Sequence, residues 1–346
     1  MKRVNHLLAG SLVLSSIFLF SCKKQMEEPA AAAQAVANES ARSQLAAATD
    51  CKPAVFGVVT DHTSFPQTWN TIAQKWYSGG MVSNLKLHTN NAPGVHAQLE
   101  PPVNIDWGEV TREGNQVYLK DVMKNRIVMR VTLDDQGRPA ASYLNNQTGN
   151  SDNAYSKDTA YYFYTGSRLD SIVTLSETRL TGTTPFYHTR KYRLMYDMHG
   201  NISRVDIPVL SSGISQGSRM LFEYDYSKPV NGIINNYSLN ASQKLLEYME
   251  LLTLPMHHAV TKITFGTYTG PPAPMDVFNP IYWENYENYV INNGLVHSYT
   301  LSSINTKYTF YNGWECSPGT RTQQADAKRG NAVNSLDQFL QRYPKQ

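Results

Sequence analysis

Few side-chain groupings in this 346-residue chain have the make-up of a reaction centre. His257-His258 is the only adjacent histidine pair, and neighbours in sequence point to different faces of a strand or helix, so a shared metal is not expected there. Asp61-His62 pairs a base with an orienting carboxylate, yet no nucleophile stands near it in sequence. Asn145 to Asn153, with Asp152 and Asp158, offers many oxygen donors without the spacing of an EF-hand, and so reads as a polar loop. Neither G-x-S-x-G, a P-loop, a dinucleotide-binding glycine fingerprint nor H-E-x-x-H occurs. No catalytic residue, metal ligand or cofactor is assigned. The more promising chemistry is stacking, because flat rings with polar edges suit the faces of sugars. Trp69, Trp76, Trp107 and Trp314 are each equally good packing residues. Tyr282-Trp283-Glu284-Asn285-Tyr286, after a Pro-rich loop beginning at Gly270, groups aromatics with polar neighbours and makes Tyr282, Trp283 and Tyr286 the ligand-binding candidates.

Thirty-one Lys and Arg against 28 Asp and Glu leave a net charge of only +3, with no basic run, so nucleic acid is not an expected partner. Lys2 and Arg3 precede an apolar stretch from Leu7 to Phe20, too short at about 1.5 Å per residue for a hydrocarbon core of about 30 Å. The pattern is that of a signal peptide. Its end, Leu19-Phe20-Ser21-Cys22, resembles a bacterial lipobox, with Phe20 larger than the family's usual residue. The resemblance implies cleavage before Cys22 and acylation there, with Lys23 after the cysteine implying export to the outer membrane. Several acyl chains at about 0.8 kcal/mol per buried CH2 anchor a protein stably.

Residues 23–50 contain ten alanines and no aromatic residue, which describes a tether of up to about 90 Å at ~3.3 Å per residue. With Cys22 acylated, Cys51 and Cys316 are left, and in an oxidising compartment they form a candidate disulfide joining the two ends of the folded part.

From Asn115 onward, short runs with period-two alternation are separated by turn residues such as Asp135-Gln136-Gly137, Met198-His199-Gly200-Asn201 and Asn292-Asn293-Gly294. Taking Leu133, Tyr164, Tyr196, Tyr224 and Tyr289 as anchors, an apolar residue follows five or six positions later: Pro139, Leu169, Ile202, Val230 and Leu295. Repeated hairpins imply a meandering antiparallel sheet. One helix interrupts it at Ala241 to Leu252, where Leu245, Leu246, Met249 and Leu252 share a face and Asn240 with Gln243 forms a variant capping box.

Tyr192 to Ile202 is similar to the tyrosine-aspartate repeat of Rhs-type shell proteins. The chain as a whole resembles Bacteroidota lipoproteins with a porin-like domain of unknown function. That resemblance covers residues 115–312 and implies a strongly curved or half-barrel sheet with the helix on its concave side. The strands themselves argue against insertion as a porin. Lipid-facing strands need an outward apolar band, whereas Arg193, Glu223 and Asp225 stand between the aromatics here.

The expected organisation is a lipoprotein signal peptide at 1–21, lipidated Cys22 and tether to 50, strands or a small subdomain at 51–114, a mainly β repeated-hairpin domain at 115–320, and a tail at 321–346 with a short C-terminal helix around Leu336 to Tyr343. The expected role is that of a lipid-anchored outer-membrane protein that binds a glycan or an envelope protein without catalysis. An enzyme acting on polysaccharide or peptide, with two carboxylates brought together by the fold, and a scaffold subunit of an envelope complex are the alternatives.

Overall fold

A computed structural model describes residues 51–62, 65–88, 103–147, 155–179, 183–209, 215–230, 239–270, 276–303 and 306–316. The signal segment, Cys22, the tether, most of the 145–153 polar run and the C-terminal tail with its expected helix lie outside them.

Sixteen antiparallel strands form one closed barrel. They are β1 (Cys51–His62), β2 (Phe65–Ser78), β3 (Met81–Leu87), β4 (Ile105–Glu113), β5 (Gln116–Asp121), β6 (Arg126–Leu133), β7 (Pro139–Gln147), β8 (Tyr155–Thr165), β9 (Arg168–Arg179), β10 (Phe186–Tyr196), β11 (Ile202–Pro208), β12 (Ser215–Pro229), β13 (His258–Gly270), β14 (Val277–Asn292), β15 (Leu295–Ser303) and β16 (Thr306–Cys316). One helix, α1 (Ala241–Tyr248), lies between β12 and β13. The hairpin turns are local chemistry. Asn293 and Gly294, for example, both take positive φ (52° and 76°), the backbone of a type I′ turn.

The expectation of an open, strongly curved or half-barrel sheet is corrected by the pairing of β1 with β16 from Cys51↔Cys316 to His62↔Thr306. Alternation within a strand specifies two faces; it carries no information on whether the first and last strands meet. The stretch 51–114, less repetitive in sequence, supplies β1 to β4 of the same wall. Closure leaves the sheet without edges. Cys51 and Cys316 are joined by a disulfide across this seam.

A barrel of this strand number is too wide for its own side chains to fill. The segment between β12 and β13 folds into the lumen and fills it. Asn240 caps α1 by accepting from Gln243 N (2.8 Å), and Gln243 Oε1 in turn accepts from Leu239 N (2.6 Å). Every residue from Ser242 to Met249 is buried, and Leu245, Leu246, Tyr248, Leu252, Leu254 and Met256 meet the inward rows of Leu85, Leu119, Met129, Leu144, Ile172 and Phe310 in one core. Each such Leu, Ile or Met contributes about 1.5–3 kcal/mol by leaving water.

The outer wall is mixed, with Tyr161, Leu175 and Trp283 exposed on it beside charged residues. On β10, Lys191 and Arg193 alternate with buried Tyr192 and Leu194; Arg130, Lys157, Glu177, Glu223 and Lys262 occupy the same outward rows on neighbouring strands.

The anchor tyrosines have a common geometry. Tyr164, Tyr196 and Tyr224 donate their hydroxyls to the carbonyls of Pro139 (3.1 Å), Leu169 (2.5 Å) and Ile202 (2.6 Å) at the start of the preceding strand. Tyr289 reaches Val260 O (2.8 Å), and Tyr77 reaches Pro53 O (2.7 Å). All five, Tyr77, Tyr164, Tyr196, Tyr224 and Tyr289, stand at or within a register shift. A bulge re-aims a side chain, and here it turns each ring inward over the hairpin end. Arg138 and Arg168 stack on the rings of Tyr164 (4.1 Å) and Tyr196 (4.8 Å).

Candidate functional site

Along β8, β9 and β10 the inward rows change character over a few residues. Tyr162, Ile172 and Tyr192 lie opposite one another in the apolar core; the next row is Ala160, Thr174 and Arg190; then come Asp158, Ser176 and His188, and finally Ser156, Thr178 and Phe186. Period two places all of these on the inner face, so the polar residues gather at the barrel end away from Cys51. Together with Leu239, Asn240 and Ala241, which come up from inside, they line a pocket of about 230 Å³.

Its polar groups are differently committed. The Tyr192 hydroxyl is hydrogen-bonded with Arg190 and Thr174, and burial holds its pKa above the usual phenol value against the pull of Arg190. Ser176 is 8% exposed, lines the pocket and has no hydrogen-bond partner among the described residues. Arg190 has no carboxylate partner among them either; it bonds the Tyr192 hydroxyl. The first turn of α1 carries no acidic residue, so the positive end of its dipole is uncompensated where Asn240 and Ala241 meet the pocket. The Asn240 Nδ2 is buried without a partner. Phe186, half-exposed at the rim, stacks on His188 with centroids 6.4 Å apart.

Asp158, Ser176 and His188 are the three residue types of a hydrolase triad, in one row. The order is wrong for it. Serine stands in the middle strand, so Asp158 is two strands, about 10 Å, from the histidine it would have to orient. Among the described residues Asp158 is the only carboxylate lining the pocket, so they hold no acid pair of a glycosidase there. What remains is a binding surface of hydroxyls, one carboxylate, one guanidinium and a helix end.

Other polar groups inside the barrel serve the plug. Lys75 on β2 bonds Glu250 (3.1 Å), and Gln243 bonds Glu247 (2.5 Å). Burial lowers Lys75 and Lys244 and raises Glu247, with their opposite charges pulling each back. On the outer wall Asp206 accepts from both Arg204 (2.9 Å) and Arg219 (2.7 Å), and Arg219 also binds Asp276. Burial pulls Asp206 up, and these bonds hold it below the usual carboxylate range.

The aromatic cluster of β14 is divided by strand alternation. Tyr282 stacks on Phe265 (4.4 Å) inside the barrel, and Tyr286, also inside, donates to Glu284 (3.1 Å), whose carboxyl burial pushes up to about 7. Trp283 is outside, 54% exposed, with Lys262 over its ring at 5.7 Å. The three therefore share no single face. His258 is held by Asn201 (3.2 Å) beside His199, and the described residues contain no group of three ligands placed for a metal. Asp61 is exposed. Trp76 and Trp107 pack together on the outer wall (5.0 Å), and Trp314 donates to Val296 O. Asp158, grouped with the polar loop in the sequence, lies on β8 and on the inner face, and His188 and Arg190 had no role assigned from sequence. Their signal was present as polar residues at every second position, Ser156-x-Asp158, Thr174-x-Ser176-x-Thr178 and His188-x-Arg190-x-Tyr192, within strands whose other halves are apolar on that face.

No family model matches the chain, and no curated protein matches it. Among solved structures it is similar to a porin-like protein from Bacteroides vulgatus ATCC 8482, at 12% identity and a TM-score of 0.47 over 77% of this chain and 100% of that one. A porin-like protein from Bacteroides uniformis ATCC 8492 is similar at 13% identity and a TM-score of 0.42, over 76% of this chain and 96% of the other.

Proposed function

We propose that the chain is a lipid-anchored protein of the outer membrane whose barrel stands in water and binds a hydroxyl-rich ligand, a glycan, at the mouth opposite Cys51. The observation that carries this reading is the pocket at that mouth, where the inner face brings Ser156, Thr174, Ser176 and Thr178 together with Asp158, His188 and Arg190. Anchoring rests on the lipobox-like Cys22. Standing in water rests on the charged outward rows, which a bilayer would penalise by about 2–4 kcal/mol for each Arg or Lys at its midplane.

The test is a glycan array followed by calorimetry on the mature protein. Asp158→Asn and Ser176→Ala are expected to weaken binding at least tenfold with an unchanged melting temperature. Absence of binding to every glycan contradicts the reading. A scaffold role is the second reading, favoured by the lumen being filled by α1 and its flanks. A partner that co-purifies from cross-linked membranes with the Asp158→Asn protein as well as with the unaltered one supports the scaffold.

A further inference from the structure

We infer that the sugar taken by this pocket is an acidic one, a uronic acid residue, with its carboxylate directed inward to Arg190 and the N-terminus of α1 and its hydroxyls directed outward to Asp158 and Ser176. The inference rests on the glycan reading of the same pocket and adds the charge of the ligand.

The polar groups are sorted along the barrel axis. Arg190 lies one inward row deeper than Asp158 and His188. It has no carboxylate partner among the described residues, although an inward-facing guanidinium at a narrowing pocket gains most from one, in a bidentate pair. Beside it the first turn of α1 presents backbone N–H groups without an acidic side chain, and the Asn240 Nδ2 is buried with no acceptor. These three features are all donors. Asp158 is the anionic acceptor of the lining, and it is two strands and two residues from Arg190, roughly 12 Å at ~4.8 Å per strand and ~3.4 Å per residue. With side chains reaching in from both sides, that gap matches one sugar ring bearing a carboxylate at one end and hydroxyls at the other. The Ser176 hydroxyl opens onto the same space. Phe186 stacked on His188 supplies a rim for the ring face. A phosphate dianion fits less well, because Asp158 shares the pocket and would repel its second charge.

The experiment is calorimetry on the mature protein with glucuronate and galacturonate, their methyl esters, glucose, galactose and acetate. A uronate is expected to bind at least tenfold more tightly than its methyl ester and than acetate. Arg190→Gln is expected to remove the acid-over-ester preference, Arg190→Lys to keep part of it, and Asp158→Asn to weaken acid and ester alike without changing their ratio. Arg190 is exposed, so these substitutions leave folding intact, checked by circular dichroism. Equal binding of acid, ester and neutral sugar overturns the inference and leaves the glycan reading standing. Acetate competing as well as uronate overturns the sugar part. Binding of none of the sugars overturns both.

Discussion

At the end of the barrel where β1 begins, hairpins turn within two residues at 79–80, 114–115, 166–167 and 293–294, the disulfide closes the seam, and five tyrosine hydroxyls tie strand ends to the start of the strand before. At the other end 63–64 and 304–305 are equally short, but the connections 88–104, 148–154, 180–185, 209–214 and 271–276 are longer and the pocket opens; the longest connection, 230–257, starts from the β1 end and supplies α1. The difference is a division of labour. Short turns and local latches make one end a frame. Long connections over a fixed frame are where binding groups are usually displayed. The clasp of Arg204, Asp206, Arg219 and Asp276 on the outer wall is the strongest staple among the described residues at the open end.

Perturbing each end in turn gives a graded set of expectations. Cys51→Ser opens a loop with a sequence separation of 265 and is expected to cost about 5 kcal/mol on the chain-entropy model, read as a fall in denaturant midpoint. Asp206→Ala leaves two arginines with Asp276 alone and is expected to cost about 3 kcal/mol. Tyr196→Phe removes one latch and is expected to cost about 1 kcal/mol, with faster amide exchange confined to the tight end. Ser176→Ala, at the open end, is expected to change stability little while weakening ligand. If Tyr196→Phe and Ser176→Ala destabilise equally, the division of labour is wrong.

The smallest effect concerns pH. Burial, followed by His199 and His257, lowers the pKa of His258, against the attraction of Asp197 and Asp225. The folded form therefore binds fewer protons than the unfolded chain, so stability is full above about pH 6.5 and declines as pH falls below it. His258→Gln is expected to flatten that decline in a melting series from pH 7.5 to 5.

The repeat of anchors was legible because its cause is local. Pro139, Leu169 and Ile202, read as the apolar followers of Leu133, Tyr164 and Tyr196, are the residues whose carbonyls take the hydroxyl of the next anchor. The α1 cap was legible for the same reason, since Asn240 and Gln243 are three residues apart. Closure was not, because it depends on β1 finding β16 across the whole chain. The pocket was half legible. Its alternation is written in β8, β9 and β10, but its floor comes from Leu239 to Ala241, whose route back through the lumen no local pattern records. In the β14 cluster, aromatics adjacent in sequence were read as one surface, and the pleat sends Trp283 outward and its neighbours inward.

Whether the charged outer wall faces water is decided by the behaviour of a chain beginning at Lys23, which carries no lipid. Analytical ultracentrifugation in detergent-free buffer is expected to show a monodisperse folded protein that does not float with liposomes. Aggregation without detergent, together with flotation and ion conductance in lipid bilayers, would contradict the barrel's standing outside the membrane.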